Sequence, residues 1–146
     1  MNVKAYIDKI VNDAREASRL MAIASTSAKN AALEQMALNF TNSKEMLIVE
    51  NEKDLRAAEE NGLSSAMIDR LKLTEPRIDA MAEGIREVIN LSDPVGEIME
   101  EIVRPNGLDI QKIRVPIGVI IIIYESRPNV TIDVAAICMK SGNVVN

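Results

Sequence analysis

The stretch Ile117-Gly118-Val119-Ile120-Ile121-Ile122-Ile123-Tyr124, followed by Glu125-Ser126-Arg127-Pro128-Asn129 and then by Val130 to Lys140, decides the fold. The first run is almost purely apolar and β-branched, the pattern of a strand buried on both faces, and such strands belong to the parallel sheets of α/β proteins. In the third run Ile132, Ala135, Ala136 and Met139 recur at helical spacing up to the stop Ser141-Gly142-Asn143, and Val144-Val145 opens another strand. Strand, polar loop, helix and second strand read as a parallel βαβ unit that the sequence leaves inside its second strand. Open α/β sheets bind ligands at the carboxyl ends of their strands, so the loop from Glu125 to Asn129 is the expected site.

Upstream of this unit the composition differs. Residues 116 to 146 hold four charges (Glu125, Arg127, Asp133, Lys140), and the other 35 of 39 lie in the first 115. Proline is missing before Pro76 and glycine before Gly62, which permits long helices in the first half. Val3, Tyr6, Ile7, Ile10, Val11, Ala14, Ala17, Leu20, Met21 and Ala24 recur every three or four residues and predict a helix near 3 to 24. Hydroxyls at 25 to 27 cap a second helix near 28 to 40, and Asn42 with Glu45 has the spacing of a capping box for a third, near 43 to 60, which Asn61-Gly62 stops. Ser64 or Ser65 opens a short helix through Leu71, and Thr74-Glu75-Pro76 opens one to about residue 90. Gly84 inside that last helix implies either a close helix contact, the favoured reading, or simple tolerance. Two extended runs, near 97 to 104 and 108 to 115, flank Pro105-Asn106-Gly107 and predict a β-hairpin. An isolated hairpin is marginal in water, so this one is expected to pair with another sheet or with a second subunit.

The 146 residues match the length of one domain, and 47% apolar with 27% charged residues is a globular balance. A net charge of -5 and only three aromatics (Tyr6, Phe40, Tyr124) argue against nucleic acid as a partner. With one cysteine, Cys138, and no histidine, neither an internal disulfide nor a Cys/His zinc site is available, and no metal site is expected. Any chemistry must rest on Cys, carboxylates, Lys, Arg or backbone. No run approaches the ~20 apolar residues of a membrane span and the charged start lacks a secretory core, so cytoplasm is the expected location and no membrane is a partner. No G-x-G-x-x-G or P-loop pattern is present.

The run Val115-Pro116-Ile117-Gly118-Val119-Ile120, the octapeptide Tyr124-Glu125-Ser126-Arg127-Pro128-Asn129-Val130-Thr131 and Lys140-Ser141-Gly142-Asn143 closely resemble the γ-glutamyl phosphate reductase (glutamate-5-semialdehyde dehydrogenase) family. Asn51-Glu52 before Asp54, Ile68-Asp69-Arg70-Leu71, Arg77-Ile78-Asp79 and Asp93-Pro94-Val95-Gly96 look like the same family. All 146 residues fit, against roughly the first third of its much longer members. The resemblance implies an α/β, aldehyde-dehydrogenase-like fold: a truncated cofactor-binding domain with a helical part over 1–92, a hairpin over 97–115 for homo-oligomeric association, and a βα unit over 116–146 cut short. It implies NADPH-dependent reduction of L-glutamate 5-phosphate to the 5-semialdehyde in proline biosynthesis, in which a cysteine thiolate displaces phosphate and hydride then reduces the thioester.

By that resemblance the nucleophilic cysteine belongs to a later segment, and Cys138 matches an ordinary helix position, a small buried residue. Glu125, Ser126, Arg127 and Lys140 are the candidate cofactor-facing residues and Asn129 the candidate oxyanion donor. Each has a plainer alternative. Arg127 can pair with Glu125 or Asp133, Ser126 can bond its own loop, Asn129 can cap the helix, and Lys140 can answer the helix dipole. An ungapped comparison places Arg127, not Asn129, at the Asn of the wider superfamily. The chain departs from the family at Ile121, where a small residue is usual and a branched one crowds an approaching backbone or cofactor, and at Asn146, where the family strand stays apolar. A chain without a complete catalytic set also fits a second reading, a non-enzymatic helical interaction module derived from the enzyme.

Overall fold

Ser25, Ser64 and Thr74 each set a helix start, because a short hydroxyl side chain in extended backbone can accept one of the amides a first turn leaves free. In the computed structural model, which describes residues 2–125 and 127–146, their oxygens accept from Ala28, Met67 and Arg77 at 3.2, 3.4 and 3.3 Å. The helices are α1 (Val3–Met21), α2 (Thr26–Asn42), α3 (Lys44–Glu60), α4 (Ser65–Leu71) and α5 (Glu75–Asn90). The strands β1 (Ile98–Val103) and β2 (Asp109–Ile113) form an antiparallel hairpin, and β3 (Val119–Ile120), α6 (Pro128–Lys140) and β4 (Val144–Val145) complete the chain. β3 and β4 pair in parallel, Val119 with Val144 and Ile120 with Val145, as a βαβ unit requires.

The core forms where α2, α5 and α6 meet. Leu33 and Ala37, Ile85 and Ala136 make a buried cluster, with Met36, Val88, Ile89, Ile132 and Met139 packed around it. Two buried lysines hold its margins. Lys140 donates to Asn30 Oδ1 and to the Ile89 carbonyl, both at 2.8 Å, so it answers a carbonyl that the last turn of α5 leaves unpaired. Lys29 lies 2.6 Å from Asp93, which also accepts from the Thr26 hydroxyl at 2.6 Å and the Val95 amide at 3.0 Å. That carboxylate pins the turn after α5 to the first turn of α2, where the helix dipole favours negative charge. The Lys29 ammonium has no other acceptor among the described residues, and its contact with Asp93 is poorly directed as a hydrogen bond.

The glycine stops act as expected. After α6 the Asn143 amide reaches back to the Cys138 carbonyl at 2.8 Å and the Gly142 amide to Met139 at 3.1 Å, a Schellman turn with Gly142 at φ 73°. A Cβ on Gly142 would meet Pro116 at 2.9 Å and Val95 at 3.0 Å, so the residue serves both backbone shape and close approach.

Four expectations are corrected. Asn42 is the last residue of α2 and opens no capping box; Ser43 takes the cap position of α3 without a side-chain bond. The two helices run almost continuously, and the backbone never becomes extended there as such a cap needs. Gly84 makes no close contact, since a Cβ there would find nothing within 4 Å. The stretch from Ile117 to Tyr124 is not a long buried strand: β3 has two residues, and Ile121 and Ile123 are 68% and 96% exposed. Among the described residues β3 pairs with β4 alone and packs against α1, so Ile120 and Ile122 are half-buried while the opposite face of the run has no cover. Finally, α6 begins at Pro128 with Arg127 as its cap residue, so Asn129 sits within the first turn and is not the cap.

The hairpin turn is Pro105-Asn106-Gly107, with Gly107 at φ 83° and its amide donating to Arg104 at 2.9 Å. Every residue of β1 and β2 is exposed.

Two measurements check this account. Gly84→Ala fills open space in a helix interior and is expected to raise stability by about 0.5–1 kcal/mol, read from the urea midpoint. Burial alone raises the Asp93 carboxyl, but the adjoining Lys29 ammonium and the hydrogen bonds from Thr26 and Val95 outweigh it and hold it below the ordinary 3.8. The stability it contributes is therefore present above that value and is lost as pH falls through the folded-state value. Asp93→Asn strands a buried ammonium and should cost about 3 kcal/mol near neutrality. In urea titrations the deficit should shrink as the pH is taken below 3.8; a deficit constant through that range would show that charge is not its origin.

Candidate functional site

The loop that leaves β3 is held by its neighbours on both sides. Tyr124 shares a hydrogen bond with Thr131, which ties the strand end to the first turn of α6. Pro128 opens the helix, where its missing amide costs nothing, and its ring keeps Arg127 out of the helical region (φ -139°, ψ 86°). No side chain caps α6 among the described residues. Its amino end, which carries the partial positive charge of the helix, therefore opens beside Arg127. Asn129 projects from the first turn and donates to Asp133 at 3.2 Å, one turn along.

This end of α6 forms one wall of a cavity of about 550 Å³, lined by Arg127, Pro128, Asn129 and Asp133. The opposite wall is the end of α4 (Asp69, Arg70), the turn after it (Lys72, Leu73) and the first half of α5 (Arg77, Ala80, Met81). Two side chains fix that turn. Asn51 is buried in α3 and uses its whole amide, donating to the Leu71 carbonyl at 3.0 Å and accepting from the Leu73 amide at 2.7 Å. Arg77 donates from Nη1 to the Asp69 and Lys72 carbonyls, and its Nη2 is shared between both carboxylate oxygens of Asp69 at 3.1 Å. Arg77 and Asp69 thereby neutralise each other. Arg70, Lys72 and Arg127 have no carboxylate within ion-pair distance among the described residues, so the cavity presents a surplus of positive charge. Its volume is that of a small-molecule site, and Leu73, Ala80, Met81 and Pro128 give it apolar wall.

The candidate residues from the sequence do not all meet here. Arg127 and Asn129 line the cavity together. Glu125 is exposed in the loop, and Arg127 forms no ion pair with it or with Asp133. Ser126 lies outside the described residues. Lys140 is brought to a different place. In a βαβ unit the helix runs against its strands, so the end of α6 lies away from the carboxyl end of β3, and the ammonium is buried against α2 and α5. Cys138, 4% exposed, lies within the same turn of α6, and burial pushes its thiol above the ordinary value. No cluster of metal-binding side chains occurs among the described residues. Ile121 points to the outside of β3, away from any crowding among the described residues.

Asn51, Asp69, Arg70 and Arg77 received no role from sequence, although all four fall in the segments that resemble the reductase family. A signal was available: helix periodicity explains none of them, since each is polar.

Relatives now add to the geometry. The chain is 54% identical over 145 residues to γ-glutamyl phosphate reductase of Geobacter metallireducens, and 53% identical over 145 residues to that of Geotalea daltonii. Each alignment takes in 99% of this chain and 35% of the relative. The crystal structure of the Thermotoga maritima enzyme superposes with a TM-score of 0.89 at 41% identity, over 92% of this chain and 32% of that one. The chain is homologous to about a third of γ-glutamyl phosphate reductase. The yeast enzyme gives the same TM-score, 0.89, at 28% identity, over 94% of this chain and 36% of its own. No protein-family model matches the chain. It spans about a third of the length of the curated relatives it matches, and its α/β fold of helices and small sheets is theirs over that third. No helix among the described residues is long and apolar enough to cross a membrane.

A thiol buried in the core is a poor nucleophile in both access and ionisation. Cys138 is therefore expected to react with a disulfide reagent such as Ellman's only at the rate at which the chain opens. Fast labelling of folded protein, at the rate of a free thiol, would show that α6 exposes it.

Proposed function

We propose that this chain contributes to a γ-glutamyl phosphate reductase, the NADPH-dependent conversion of L-glutamate 5-phosphate to the 5-semialdehyde with release of phosphate, in proline biosynthesis. One observation carries the reading. The loop after β3, which holds the most distinctive family octapeptide, opens on a cationic cavity of ligand size. Identity above 50% over 90–99% of the chain with enzymes of that name supports it. A soluble biosynthetic setting in the cytoplasm goes with it.

In this reading the chain binds and orients. Arg127 offers planar paired donors suited to phosphate oxygens of substrate or cofactor, and it stands beside the amino end of α6, which also favours anions. Asn129 stands one turn from Asp133, whose carboxylate accepts one of its amide hydrogens and so fixes the orientation of the remaining donor. A donor fixed in that way is suited to an oxyanion. NADPH, when bound, supplies hydride. The residues that fit a cofactor at the carboxyl end of β3 are Arg127 and the exposed Glu125, with Ser126 between them in sequence. Lys140 is assigned to packing, and Cys138 is not a nucleophile. The exposed hairpin is the surface proposed for association with a further copy.

The direct experiment grafts this sequence in place of the matching third of the Geobacter metallireducens enzyme, where 54% identity favours correct packing. Phosphate-dependent oxidation of the semialdehyde, followed as NADPH absorbance, should persist in the graft and be absent from the 146-residue chain alone. In the graft Cys138→Ser should leave turnover near its starting value. Arg127→Ala should lower kcat/KM about 30-fold, equivalent to about 2 kcal/mol for a lost charged hydrogen bond. Unchanged kinetics would leave Arg127 without a part in the site.

A further inference from the structure

We propose that the cavity between the α4–α5 turn and the start of α6 reads the amino-acid end of the substrate: Arg70 and Lys72 take an α-carboxylate, Asp133 takes the α-ammonium on the same carbon, and Arg127 and Asn129 are left for the end that reacts. The proposal rests on the reductase reading and says which of the chain's own residues select the substrate.

The charges of the cavity divide into those already used and those still open. Asp69 spends both carboxylate oxygens on Arg77, and Arg77 also spends its donors on the Asp69 and Lys72 carbonyls, so this pair is frame. On the same wall Arg70 and Lys72 face the cavity without a carboxylate partner among the described residues. On the facing wall Asp133 uses one oxygen to accept from Asn129 and keeps the other. Positive groups on one side and a carboxylate on the other suit a zwitterion. A phosphate or a plain dicarboxylate would satisfy the cations but would be repelled by Asp133. Leu73, Ala80 and Met81 supply an apolar wall along which the methylenes of a glutamate side chain can lie. Asn51 fixes the backbone on both sides of Lys72, and Arg70 stands on the last turn of α4 just before it, so the backbone that carries both is set before a ligand arrives.

Four probes decide it on the chain itself, by amide chemical-shift perturbation: L-glutamate, glutarate (which lacks the ammonium), 4-aminobutyrate (which lacks the α-carboxylate) and inorganic phosphate. L-glutamate should move the amides of 69–73 and 127–133, and each of the other three should bind about tenfold more weakly. Asp133→Asn, an exposed position where the fold should survive, should bring glutarate level with L-glutamate, and Arg70→Gln should do the same for 4-aminobutyrate. In the grafted enzyme Asp133→Asn keeps an amide oxygen that can still accept from Asn129 but loses the charge that meets the ammonium, so KM for the semialdehyde should rise about tenfold and by more than kcat falls. Equal binding of L-glutamate and glutarate to the unaltered chain, stronger binding of phosphate, or no response to L-glutamate would overturn the proposal. An active graft whose KM ignores Asp133→Asn would overturn it while leaving the reductase reading in place. An inactive graft would count against the reductase reading alone, since the shifts still report on the cavity.

Discussion

Two buried ammonium groups set the relation between the helical part of the chain and its βα unit. The apolar contact among α2, α5 and α6 sets Ala37 and Ala136 against Leu33 and Ile85, and apolar packing alone is non-directional. Lys140 supplies that direction. Its side chain runs from the last turn of α6 to Asn30 on α2 and to a terminal carbonyl of α5, so three helices share one cation. Lys29 and Asp93 do the same at the other margin, joining α2 to the turn that leads away from α5. A buried charge is tolerated only where its partners are fixed, and breaking one partner costs more than the pair contributes. The consequence is a three-helix junction that cannot rotate without stranding a charge.

Local rules read most of the helical part correctly because its signals are local. Ser25, Ser64 and Thr74 cap where their hydroxyls stand, and Gly62 and Gly142 stop where a left-handed residue is needed. The errors have a common physical source. Asn42 and Glu45 have capping-box spacing, yet a cap needs extended backbone, and the tight connection from α2 to α3 never provides it. Ile117 to Tyr124 has strand composition, yet burial belongs to whatever lies beside a strand, and β3 has one pairing neighbour among the described residues. Lys140 reads from sequence either as a cofactor-facing candidate or as an answer to the helix dipole, and the structure buries its ammonium against α2 and α5, away from the loop after β3. Its distance from that loop follows from the opposed direction of helix and strands, which a linear motif does not display.

The same distinction explains the site. One wall was legible, because Arg127, Pro128 and Asn129 adjoin a strand end and parallel sheets expose ligands there. The other wall comes from residues more than forty positions earlier and is set by contacts that no period records: the Asn51 amide across the α4–α5 turn and the Arg77 bonds to Asp69. Exposed ion pairs contribute little stability, typically ~0–1 kcal/mol. The Arg77–Asp69 pair is better understood as a device that sets turn shape, since the guanidinium also binds two carbonyls of the same turn. Once that turn is shaped, Arg70 and Lys72 are delivered to the cavity as a by-product of backbone geometry.

A cavity whose walls belong to different parts of the chain couples ligand binding to the junction between them. The α4–α5 wall belongs to the helical part, whereas the α6 wall belongs to the βα unit, and the two are joined through α5 and α6 by the core cluster and Lys140. Any ligand that holds both walls binds the joined arrangement and not a separated one, so it stabilises the junction in proportion to the logarithm of its concentration over Kd. The β3–β4 pair packs against α1, so it adds a second contact between the helical part and the βα unit. Affinity at the cavity and cohesion of the two parts are therefore one quantity seen from two sides, and a side chain such as Asn51, which touches no ligand, acts on both through the shape of a single turn.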